Sequence, residues 1–78
     1  LSVTILRQSA FIIEQVAVLE GTERLLDMSG AVFADCQQAL RKTDSPKGFF
    51  VSNPGAHAFL LYQNSSAGGD RLSVRKLP

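Results

Sequence analysis

The sequence has no tryptophan, and only one histidine, one cysteine, one methionine and one tyrosine. One cysteine rules out an intrachain disulfide. A structural zinc site takes about four Cys or His ligands, and the chain has only Cys36 and His57 to offer. Cys36 stands among Val32, Phe33, Ala39 and Leu40, where a free cysteine behaves as a small buried apolar residue. Charge of either sign is scarce, with eight Lys and Arg against seven Asp and Glu for a net charge of +1. So neutral a chain has no bulk electrostatic pull toward nucleic acid or a membrane surface. Long apolar runs are missing too. The opening stretch LSVTILRQSAFIIEQVAVL is broken by Arg7, Gln8, Glu14 and Gln15, so the roughly twenty apolar residues of a spanning helix are not available. It also lacks the basic start, unbroken apolar centre and small-residue cleavage site of a signal peptide. A start at Leu rather than Met fits a processed product or a fragment.

What is present is enough for one small domain, residues 1–78, with an apolar content of 45%. A domain of this size, without disulfide or metal, lies near the lower limit for folding alone and must pack efficiently or borrow burial from a partner. Residues 7–19 have helical periodicity, with Ile5, Ile12, Val16, Leu19 and Leu26 on one row and Leu6, Ala10, Ile13 and Ala17 on the adjoining one. Gly21-Thr22 reads either as a helix end followed by a cap or as a point the helix runs through, and the helix formers around it favour continuity. Ser29 is the expected cap of a further helix over 31–42, with Val32, Phe33, Cys36, Ala39 and Leu40 inward, Asp35 outside, and Arg41 and Lys42 at its negative end.

From Thr43 to Gly48 the pattern breaks into turn residues and then changes period. Phe49-Phe50-Val51 and Phe59-Leu60-Leu61-Tyr62 bracket Asn53-Pro54-Gly55, a hairpin signal. After the looser turn NSSAGGD, residues 71–77 alternate, placing Leu72 and Val74 on one face and Arg71, Ser73 and Arg75 on the other, as in a half-buried strand at a sheet edge. The expected fold is α+β: an N-terminal amphipathic helix or helices (helical part 5–42) packed on one face of a three-stranded antiparallel β-meander (48–77). The expected core holds Ile12, Val16, Leu19, Leu26, Phe33, Leu40, Phe50, Leu60, Leu72 and Val74.

Chemistry is thinly supplied. Ser52, Ser45 and Asp44 lie near His57 in sequence without any nucleophile motif, and a histidine beside a Pro-Gly turn reads as a solvated tip residue. The carboxylates at 14, 20, 23, 27, 35, 44 and 70 are scattered, with no pair in the apolar surround a general acid needs. Gly68-Gly69 precedes a strand and lacks the lysine of a phosphate loop. Asn64-Ser65-Ser66 fits the N-glycosylation pattern. Arg71, Arg75 and Lys76, backed by Lys47, Arg41 and Lys42, form a basic set that with Phe59 and Tyr62 invites comparison with base-stacking platforms.

Two resemblances bear on the layout. GFFVS, AFLLY and RLSVRKL, following an amphipathic helix, resemble the central strands of an SH2 domain. That resemblance implies a phosphate-binding arginine in an F-L-V-R segment, where this chain carries Ser52. A helix followed by a small antiparallel sheet is also similar to the soluble part of minor pilins and pseudopilins, which implies architecture without any residue-level role.

The sequence therefore favours a non-enzymatic protein-binding or assembly module, a subunit or fragment of a larger complex. It would need no cofactor or metal and would partner another protein or itself. A pilin-like or secretion-system domain is one alternative. A small nucleic-acid-binding domain using the C-terminal basic strand is the other, and the less favoured one. Phe49, Tyr62, Arg71 and Arg75 are the residues expected at the interaction surface, since Tyr and Arg tend to dominate interfaces and a sheet edge accepts an added strand.

Overall fold

Helix α1 runs from Arg7 to Val16 and turns Ser9, Ala10 and Ile13 inward. Its first turn is tied by the second helix, as Leu6 N–H donates to Asp35 Oδ2 at 2.7 Å. That contact satisfies an otherwise orphaned donor and sets an anion at the positive helix pole. In the computed structural model, which describes residues 2–27, 29–52, 55, 57–64 and 71–78, α1 is followed by strand β1 (Glu23–Leu25), helix α2 (Ala31–Thr43) and strands β2 (Lys47–Val51), β3 (Ala58–Gln63) and β4 (Leu72–Lys76). The strands form one antiparallel sheet in the order β1-β4-β3-β2.

The meander of β2, β3 and β4 agrees with the expected layout, and the fold is α+β. The expected three strands become four, however, and the first helix is shorter. Gly21 has φ +76°, in the left-handed region that glycine enters without strain. Its N–H donates to the Lys76 carbonyl at 3.1 Å, delivering Glu23–Leu25 to the free side of β4. Pairing with β4 thus overrides the helix propensity of the Glu23-Arg24-Leu25 segment. It also moves β4 from the expected edge to the interior of the sheet. Nor does Ser29 cap α2: its N–H and hydroxyl both donate to Asp27 Oδ1, and the N-cap residue is Gly30. Arg41 and Lys42 do occupy the last turn of α2.

Alternate residues of the sheet face the helices. Phe50, Phe59, Leu61, Leu72 and Val74 join Val3, Ala10, Ile13, Ala17, Phe33, Cys36, Ala39 and Leu40 in one buried cluster. Phe50 stacks on Phe59 across the β2–β3 pair, with ring centroids 5.4 Å apart. Five residues expected in the core are displaced. Ile12, Val16 and Leu19 are exposed, and Leu26 and Leu60 are only partly buried. Both rows of α1 are apolar, and the row with two alanines and Ser9 is the one that lets the helix approach closely. Leu60 pairs with Phe49, so antiparallel register puts it on the face opposite Phe50 and Phe59.

The two sheet edges differ. At β2, Val3 N–H donates to the Phe49 carbonyl at 2.8 Å and Ser2 bridges the same residue, so the N-terminal segment lines that edge. At the other edge β1 is only three residues long. The expected turns at Asn53-Pro54 and over 65–70, with Gly68-Gly69 and Ser65-Ser66 of the glycosylation pattern, fall on residues outside those described. Among those described, no helix is long and apolar enough to cross a membrane.

Candidate interaction surface

The sheet face turned away from the helices has no covering layer among the described residues. Strand register places two rows across it. One runs Phe49, Leu60, Arg75, Glu23 and the other Lys47, Tyr62, Ser73, Leu25. Three of the four residues expected at an interaction surface, Phe49, Tyr62 and Arg75, therefore share this face. Arg71 does not join a row. It precedes β4, exposed, and its carbonyl accepts the Asn64 N–H at 2.7 Å.

The centre of the face is held by hydrogen bonds spanning three strands and the β3–β4 connection. Tyr62 donates its hydroxyl proton to Glu23 Oε2. Asn64 Nδ2 donates to Glu23 Oε1 at 3.1 Å and to Ser73 Oγ at 3.0 Å. Ser73 is fully buried although it points away from the helices. The Arg75 guanidinium carbon lies 6.0 Å from the centre of the Tyr62 ring, within reach of a cation–π attraction. Partial burial, then the hydrogen bond and charge of Glu23, push the Tyr62 hydroxyl pKa up, and Arg75 opposes the rise. Beside this network a depression of about 510 Å³ opens between Glu23, Lys47, Leu60, Tyr62, Asn64 and Arg75. Phe49, paired with Leu60 on the same face, has 42% of its surface exposed.

Glu23 and Asn64 were not among the expected surface residues. Each belongs to a segment that reads as something else, a helix and a flexible turn. Asn64, the acceptor asparagine of the glycosylation pattern, commits its amide nitrogen to Glu23 and Ser73 in the folded chain.

His57 is exposed, as expected of a solvated tip residue, but it has a partner. Its Nδ1 lies 3.2 Å from Glu14 Oε1, reaching from the start of β3 to α1. Ser52 and His57 exchange backbone contacts, with Ser52 N–H donating to the His57 carbonyl at 2.8 Å and His57 N–H to Ser52 Oγ at 3.1 Å. The Ser52 hydroxyl first, with His57 and Lys76 adding to it, holds the Glu14 carboxyl below its usual range against the opposing effect of desolvation. The His57 ring meets the carboxylate, whereas the Ser52 hydroxyl meets the His57 backbone and not its ring. In a nucleophilic triad the histidine must stand between hydroxyl and carboxylate, so this arrangement ties α1 to a hairpin and activates no nucleophile. Cys36 is buried, and desolvation pushes its thiol up to about 12, the state of an inert cysteine. Among the described residues no three His, Cys, Asp or Glu side chains converge as a metal ion requires.

No family model matches the chain, and neither does a curated protein or a solved structure.

Proposed function

We propose that the chain is a non-enzymatic protein-binding module of a larger assembly, docking its partner on the open face of the sheet. One observation carries the reading: Phe49, Leu60, Tyr62 and Arg75 lie together on an uncovered face, and the Tyr62 and Arg75 side chains are held in place there by Glu23 and by each other. Aromatic and arginine side chains carry much of the energy of protein interfaces. Fixing them before binding lowers the ordering cost that association must overcome. With Glu23 occupied by Tyr62 and Asn64, the cations Lys47 and Arg75 are left to select a partner whose carboxylate sits among apolar side chains.

The same two cations flank Tyr62, which is the observation behind a nucleic-acid reading. That reading is weaker, since Glu23 places a carboxylate in the middle of the face and repels a phosphate backbone.

Photocrosslinking from position 49 in the source cells tests the proposal. A protein adduct from position 49, absent from the exposed α2 position Arg41, supports it. Adducts to nucleic acid alone, or none at all, overturn it.

A further inference from the structure

A second surface lies on the other layer. One side of α1 carries Gln8, Phe11, Ile12, Gln15 and Val16, positions that helical geometry gathers on a single face. None of these side chains is charged, and Phe11 and Val16 are each about half exposed, at 50% and 51%. Ile12 and Val16 line a groove of about 490 Å³ together with Leu26 and the buried Ile13, Phe33 and Val74. Asp27 is the charged group that lines this groove. Arg7 begins α1 and has no ion pair among the described residues.

We propose that a second copy of this chain docks here, its α1 lying antiparallel to the first across a two-fold axis near Ile12. A two-fold contact demands that the surface complement itself, and this one does. Its middle is uncharged, so like charges do not meet at the axis. Its charges lie off the middle: Arg7 opens α1 five residues before Ile12, whereas Asp27 lines the groove with Ile12 and Val16. Ten residues of helix span about 15 Å, and reversing one copy carries each Arg7 toward the other copy's Asp27. Asp27 is ready to receive it. The Ser29 N–H and hydroxyl engage Oδ1 alone and hold the carboxyl below its usual range. A half-exposed aliphatic or phenyl side chain offers on the order of 80 Å². With Gln8, Gln15 and Arg7 at the rim, two copies would bury roughly 1,000–1,200 Å², the low end for specific association. A dimer of about 10–100 µM affinity is the expectation. An amphipathic helix that lies on a lipid surface carries several basic residues along its polar face, and α1 has only Arg7.

Sedimentation of the purified chain across a concentration series tests this. The weight-average mass should rise from 8.4 kDa toward twice that value. Val16→Glu should remove the rise while keeping the far-ultraviolet dichroism of the wild type. Should that variant lose its helical signal, Phe11→Ser at an exposed position serves instead, with the same result expected. Arg7→Asp should weaken the dimer about tenfold, and a mixture of Arg7→Asp with Asp27→Arg should associate more tightly than either alone. A mass fixed at one chain up to about 500 µM, or a dimer indifferent to both Val16→Glu and Phe11→Ser, overturns the proposal. Neither result bears on the open sheet face, whose test is separate.

Discussion

Glu14 Oε1 and His57 Nδ1 lie 3.2 Å apart and join α1 to the β2–β3 hairpin across 43 residues of sequence. The carboxyl is held below its ordinary pKa, by the Ser52 hydroxyl first and then by His57. A carboxyl depressed in the folded state contributes stability above its unfolded pKa and loses it as pH falls through its folded pKa. Acid should therefore weaken the tie between helix and hairpin. Urea midpoints measured from neutral pH down through the carboxylate range should fall more steeply for the wild type than for Glu14→Gln. Parallel profiles would show that the tie contributes nothing.

The choice of buried row on α1 predicts an asymmetry between neighbours. Ile13→Ala empties a fully buried site and should cost about 2–5 kcal/mol. Ile12→Ala, on the exposed row, should cost under about 1 kcal/mol. Chemical denaturation of the two variants, at concentrations where the chain is monomeric, measures the difference. Equal costs would contradict the placement of α1.

Gly21 is the residue that lets β1 reach the sheet. A Cβ there meets no atom within 4 Å, so crowding is not the obstacle, but its φ of +76° is one that L side chains rarely adopt. Gly21→Ala should destabilise the fold by about 1 kcal/mol. Loss of protection at the Leu26 amide, which donates to the Leu72 carbonyl at 3.0 Å, should accompany it. Hydrogen exchange reads both effects.

Cys36, buried and pushed up to about 12, should resist thiol reagents in the native chain and react at the rate of opening. Labelling kinetics with and without urea check this. Fast labelling under native conditions would place the thiol at the surface.

Helix α2 and the alternation of Leu72 with Val74 could be read because one periodicity dominated each segment and turn residues bounded it. The first helix was harder. Two apolar rows compete along it, and sequence spacing does not say which one the sheet will cover. Glu23–Leu25 was illegible as a strand, since three good helix formers pair with β4 only once Gly21 has turned the chain. The surface was partly readable. Phe49, Tyr62 and Arg75 stood out by residue type, but Glu23 and Asn64 enter through register and through contacts 39 and 41 residues apart. His57 is exposed, as a tip residue should be, but its Glu14 partner lies on a helix far away in sequence.

An interface on the open sheet face organised by Tyr62 and Arg75 must lose its partner when both side chains are removed. The most direct measurement is quantitative affinity enrichment from source cells with the wild-type chain, the Tyr62→Ala/Arg75→Ala variant and the Arg41→Ala control, with bound proteins identified by mass spectrometry. A specific protein partner should be retained by Arg41→Ala and reduced about tenfold or more by the double variant, whose fold is checked by dichroism. Equal recovery of the same partner by all three chains would contradict it.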